Sequence, residues 1–311
     1  MIQTLTSFIK SLSNPNRYWF NTLIILAIFL VLCIFYKRQN LSDFYEGFSQ
    51  DSKFVLKQDS NIYDDFYVKI YDILMVPGKK SEFEIEKIIE GTQPTKKSVF
   101  LDIGSGTGDI VNELNNLGYL AYGIDKSKSM IEEAEKKFPE NKTKVGDATE
   151  SMLYEKNSFT HITCLGFTIY QIKEKEILFR NCYNWLMPGG YLILHLADRN
   201  KFDPIIPGGK PPLLDSPQLY AKNRITDTEI NFVDFLYKAS YQFNDIKKTA
   251  ILKETFTDEL TKNVRQNEMT LYMEDIDDIL RIVSKCGFLA QARFDMVNDK
   301  FQYIYILERP Q

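Results

Sequence analysis

The residues best able to do chemistry lie in the run Val99-Phe100-Leu101-Asp102-Ile103-Gly104-Ser105-Gly106-Thr107-Gly108-Asp109. Its apolar start reads as a buried strand, and Ile110, Val111, Leu114 and Leu117 read as a helix that follows at once. Three alternate glycines between them let a ligand meet bare backbone at the end of the strand. The Asp102 carboxylate closes that strand as a hydrogen-bond acceptor. Asp125, 21 residues after Gly104, ends the next apolar run, where a carboxylate can accept both hydroxyls of a ribose. Lys126 follows it, and Gly146-Asp147-Ala148 closes a third short run. Pyrophosphate binding on a helix N-terminus would want the third glycine one place later, where Asp109 stands.

Elements that alternate strand and helix must position these groups. Strands are expected at 98–103, 119–125, 142–146, 159–165 and 191–197, with helices near 107–117, 127–138 and 173–187. That beat predicts a Rossmann-like, doubly wound α/β sheet with helices on both faces. It breaks after Asp198. A proline-rich loop follows, then three β-rich segments near 228–243, 246–257 and 264–272, read as an antiparallel insertion or cap over 203–272. A helix at 274–286 and strands at 288–296 and 301–308 close the chain, making the sheet mostly parallel with an antiparallel last strand. Upstream, Ile62, Phe66, Ile70, Ile73 and Leu74 recur at helical spacing, with Tyr63, Tyr67 and Tyr71 on one face. Ser81 to Glu90 reads as a second helix, with Ser81 as N-cap and Glu84 completing a capping box.

The strand ending in Asp102, the Gly-Ser-Gly-Thr-Gly turn, Asp125 and Asp147 together resemble the class I S-adenosylmethionine-dependent methyltransferases. The resemblance covers roughly 60–311, and 98–197 is its specific part. It implies that Asp102, Gly104, Ser105, Gly106, Thr107, Gly108, Asp125, Lys126, Asp147, Ala148, Leu165 and Gly166 bind S-adenosylmethionine. In that family Asp125's position holds the ribose, Asp147's position reads the adenine amino group, and the loop 165–170 flanks the transferable methyl. The methyl would then face Tyr170, His195 and Arg199, the expected acceptor-site residues, beneath the insertion. Aromatic residues of an N-terminal helix close over the sulfonium in several members, a role open to Tyr63, Tyr67 and Tyr71. Arg265 and Tyr272 are further cap candidates. The loop after residue 164 lacks the Asn/Asp-Pro-Pro-Tyr signature of enzymes that methylate base amines.

The whole chain narrows the acceptor. A net charge of −4 over 311 residues argues against broad nucleic-acid binding. The four cysteines form no C-x-x-C pair, so neither a metal site nor a disulfide framework is indicated. Leu23 to Phe35 is an uninterrupted apolar run, flanked by Tyr18, Trp19 and Phe20 and by Tyr36, Lys37 and Arg38. We expect 1–17 as a tail, 18–36 as a single membrane-spanning helix, 37–58 as a juxtamembrane spacer, and 59–311 as the catalytic domain. Lys10 and Arg17 balance Lys37 and Arg38. The cytosolic supply of the implied cofactor therefore decides the expected orientation, with the domain in the cytosol. A small-molecule or membrane-associated, lipid-like acceptor is expected. A tethered binding module without catalysis, or a methyltransferase acting on protein or nucleic acid, stays open.

Overall fold

The computed structural model describes residues 18–40, 50, 52–210, 216–297 and 299–311, with side chains in the first of these segments described for 22–33. The chain divides into two units, Met1–Ser49 and Gln50–Gln311. In the first, the apolar run lies in a helix, Tyr18–Asn40, and Leu23 through Leu32 expose their large apolar side chains. The helix runs on through Lys37 and Arg38, which were expected in the spacer. Among the described residues no helix is long and apolar enough to cross a membrane.

The second unit holds two sheets, built from strands β1 (Phe54–Gln58), β2 (Val99–Ile103), β3 (Leu120–Asp125), β4 (Lys142–Val145), β5 (Phe159–Cys164), β6 (Leu186–Ala197), β7 (Asp227–Asn231), β8 (Phe235–Asn244), β9 (Thr249–Asp258), β10 (Val264–Tyr272), β11 (Leu289–Met296) and β12 (Asp299–Glu308). The larger sheet has the order β11-β12-β6-β5-β2-β3-β4. Strands β6 to β4 of that order are parallel, and β12 is antiparallel to both neighbours. The strand order reverses between β2 and β5, which puts the crevice of an open α/β sheet at their carboxyl ends, beside the glycine turn. Helices 77–92 and 109–116 cover one face. Ile85, Ile88, Phe100, Ile110, Val111, Leu114, Ile193, Ile304 and Ile306 are buried there. A Cβ on Gly91 would sit 2.1 Å from the Ile306 side chain, so glycine permits that close packing.

The smaller sheet is the insertion, with the order β1-β10-β9-β8-β7. It has four antiparallel strands where three segments were expected, because Phe232–Asp234 turns the first segment into a hairpin. The expected spacer also needs correction. Residues 54–58 form β1, parallel to β10 from Phe54–Val264 to Gln58–Glu268. Its outward Phe54 and Leu56 are exposed, so it carries no buried apolar face for the sequence to advertise, and backbone pairing holds it. Ser81 is likewise no cap. Val76 is left-handed at φ 44°, and Pro77 opens the helix Pro77–Thr92 at its first position, leaving Ser81 buried one turn inside. The upstream helix breaks into a 3-10 turn, Asp59–Ile62, and Asp65–Met75, which Asp64 caps by accepting from Tyr67 N.

Candidate active site

The three glycines have positive φ, at 70°, 52° and 86°, yet serve different ends. A Cβ on Gly104 would meet Thr168 Cγ2 at 2.4 Å, and one on Gly108 would meet Ala134 Cβ at 3.1 Å. These two are bare because protein packs against them. A Cβ on Gly106 would find only the Tyr71 ring, at 3.8 Å, so this residue faces open space. The turn is tied to β3. Gly104 N and Ser105 N donate to Ile124 O at 2.8 and 3.0 Å. Gly106 N donates to Asp125 Oδ2 at 3.0 Å, and Ser127 N donates to Asp125 Oδ1 at 2.8 Å. Asp125 thus orients the backbone that a ligand would touch while keeping lone pairs for the ligand itself. Ser105 points toward β3, its hydroxyl 2.7 Å from where a Cβ on Gly123 would lie.

Burial pushes Asp102 up to about 7, Glu84 and Asp125 add to the shift, and a 2.6 Å hydrogen bond from Thr163 Oγ1 opposes it. Burial also raises Asp125, against its two backbone donors and Lys126. At Asp147 the balance reverses. Burial raises it, but the Lys126 ammonium at 2.8 Å and two bonds from Thr149 hold it below the usual carboxylate range. Lys126 therefore joins the ends of β3 and β4. Ala148 is anchored by Asn181 Nδ2, which donates to its carbonyl at 2.9 Å. Leu165 lies in the core. Gly166, at φ 60°, has nothing within 4 Å of an added Cβ, so the end of β5 is also open. Thr107 donates to Asp72 and Asp109 at 2.8 and 3.0 Å, and Lys137 bridges the same two carboxylates. Asp72 and Lys137, which no motif marks, thereby fasten helix 65–75 to the glycine turn.

The expected acceptor residues are drawn into the scaffold. Tyr170 is buried, and its hydroxyl accepts from Ala197 N at 2.7 Å and donates to Ala197 O at 3.2 Å. It positions the end of β6. His195 is buried edge-on to Phe167, and burial pushes it down to about 3, so it stays neutral near pH 7. Arg199 pairs with Asp245 at 3.2 Å and donates to Asn244 O, steadying the β8–β9 turn. Its carbonyl accepts from Arg224, whose guanidinium packs against both the Phe202 and Phe243 rings. Tyr272 meets Lys175, which donates to its carbonyl at 2.8 Å.

A different set of side chains converges above the turn. Tyr63, Tyr67 and Tyr71 form a row, with successive ring centroids 5.5 and 6.2 Å apart. The Tyr71 end lies over Gly106. From the middle of the row the Tyr67 hydroxyl donates to Glu254 Oε1 at 3.1 Å. Tyr237 donates to the same oxygen at 2.8 Å, and Asn267 Nδ2 donates to Oε2 at 3.2 Å. Arg265 supports this cluster from behind, bonding Asn267 Oδ1, Asp64 and Ile62 O. Sequence reasoning missed Glu254. The available signal was its register on β9, where Ala250, Leu252, Glu254 and Phe256 share the buried face. A charge among apolar residues at period two is the kind of departure that marks a function.

Comparison with known proteins agrees with this architecture. Residues 101–194 match the model of a methyltransferase domain. A stretch of 156 residues, 48% of this chain, is 28% identical to a phosphoethanolamine N-methyltransferase from Plasmodium falciparum, and the match spans 58% of that protein's length. An S-adenosylmethionine-dependent methyltransferase from Clostridium acetobutylicum superimposes with a TM-score of 0.60 at 20% identity, over 79% of this chain and 98% of that one. An amino pentose methyltransferase from Micromonospora echinaspora, solved with S-adenosylmethionine bound, gives 0.55 at 14% identity, over 80% and 99%. Residues 101–194 are thus a methyltransferase domain with S-adenosylmethionine as its cofactor, and the unit 50–311 around them shares the fold of such enzymes. The residues present fit it. Open backbone at Gly106 and Gly166 and acceptors at Asp125 and Asp147 line one edge of the sheet.

Proposed function

We propose that the protein transfers a methyl group from S-adenosylmethionine to a small-molecule acceptor held between the glycine turn and the insertion sheet. The observation that carries this reading is the tyrosine row, which leads from Gly106 to the inner face of the insertion. The cofactor supplies an electrophilic methyl when bound. The chain's own residues bind it, orient the acceptor and exclude water, and such positioning can lower a barrier by roughly 7–11 kcal/mol in favourable cases. No strong base is required, which suits a site whose histidine is buried and neutral. The relatives that act on phosphoethanolamine and on an amino pentose support an acceptor of similar size. Full-length protein incubated with methyl-labelled cofactor should label a member of a panel containing phosphoethanolamine, amino sugars and lipid head groups. Cofactor binding without transfer to any of them would favour the tethered binding module.

We also infer that residues 18–36 hold the protein in a membrane with the domain on the cytosolic side. What supports this reading is the sequence, where Leu23 to Phe35 is an uninterrupted apolar run with aromatic residues at both rims. Alkaline carbonate should leave the full chain in the membrane pellet and release a chain beginning at Gln50. A full chain that washes off defeats this inference.

A further inference from the structure

Glu254 is 1% exposed. Its partners Tyr67, Tyr237 and Asn267 are all neutral donors. Among the described residues no lysine or arginine forms an ion pair with it. Arg265 bonds Asn267 rather than Glu254 and is committed to Asp64 at 3.0 Å. Buried carboxylates are normally paired with a cation, because desolvating an unpaired charge is expensive. Burial accordingly raises Glu254 above the usual carboxylate range, although Tyr237, Asn267, Tyr67 and Arg265 all pull it down.

The surroundings are suited to the missing cation. Phe256 lies 5.1 Å from the Tyr237 ring and 6.1 Å from the Tyr67 ring, centroid to centroid. Aromatic faces attract ammonium groups, most strongly where water is excluded. The cluster also leads to the cofactor. Tyr63 packs edge-on against Tyr67 and stays half-buried, and its hydroxyl accepts from exposed Gln171 at 2.8 Å. The Tyr63 carbonyl accepts from Ser127 Oγ at 2.6 Å, which ties this residue to the cradle at the end of β3.

We propose that Glu254, with Tyr67, Tyr237 and Phe256, is the subsite that recognises the positively charged nitrogen of the acceptor, so that the substrate class is a small amine. This rests on the methyltransferase reading and gives it a substrate chemistry. A neutral hydroxyl acceptor would bring no charge to balance the carboxylate and no cation to the ring faces.

The test uses the full-length protein saturated with S-adenosylhomocysteine, so that binding is read without turnover. Ethanolamine and tetramethylammonium are titrated calorimetrically, with ethylene glycol as the neutral counterpart of ethanolamine. Both cations should bind and the glycol should not. Glu254→Gln retains side-chain volume and an acceptor for the two tyrosines. It should weaken both cations about tenfold or more and leave S-adenosylhomocysteine affinity within about twofold. Tyr67→Phe and Tyr237→Phe should give smaller losses, and melting curves establish that each variant is folded. A folded Glu254→Gln protein that binds the cations like wild type overturns the proposal, as does equal binding of glycol and ethanolamine. Both results leave the methyltransferase reading intact. Wild-type protein that fails to bind S-adenosylhomocysteine defeats that reading, and this proposal with it.

Discussion

Gly106→Arg should abolish S-adenosylmethionine binding, lowering affinity by roughly 100-fold or more while the domain stays folded. Two causes act together. A non-glycine residue at φ 52° carries a strain of about 1–3 kcal/mol. A long side chain would also extend into the space beside Tyr71, where an added Cβ meets nothing closer than that ring. Gly106→Ala separates the two, since its Cβ would rest at an ordinary 3.8 Å from the ring and only the strain would remain. Calorimetry on the chain beginning at Gln50, with melting curves beside it, checks the series. That boundary matters, because a start at Asp59 would remove β1 from the insertion sheet. An arginine variant that melts and binds like wild type would remove the cofactor assignment at this turn.

Asp125→Ala should weaken cofactor binding by roughly 1.5–3 kcal/mol, the cost of losing a charged acceptor. The structure adds a second effect. The same carboxylate accepts from Gly106 N and Ser127 N, so the alanine variant should also melt earlier, by an amount on the order of 1 kcal/mol of stability. Asp125→Asn keeps one carbonyl oxygen and should lose less of both. Affinity unchanged in the two variants, with only the melting temperature lowered, would reduce Asp125 to a brace for the turn.

Local chemistry explains what was legible beforehand. The central parallel strands β2 and β5 announced themselves as largely apolar runs because both of their faces are buried, whereas the edge strand β4 is polar and exposed. The helix starting after Ser127 was legible because its cap is a local event, with Ser127 accepting from Met130 N. Strand β1 was not. Its pairing with β10 joins residues about 210 apart, and it buries no apolar face of its own. The candidate acceptor site was hardest to see. Tyr170 and Arg199 follow β5 and β6 in sequence and His195 lies near the end of β6, but strand ends place backbone, and neighbours decide where side chains point. Tyr170 turned to the Ala197 backbone and Arg199 to Asp245.

By itself the sequence determined the alternation of strands and helices from β2 to β6, the glycine turn and the carboxylates at the ends of β2, β3 and β4, because turn and cap conformations depend on residues close in the chain. Only the tertiary structure decided that Tyr67, on a helix before the glycine turn, meets Glu254, Tyr237 and Asn267 from three strands of the insertion. A buried charge has to find its hydrogen-bond donors wherever the fold brings them. Those donors come from segments up to 187 residues away, a distance over which no local pattern can act.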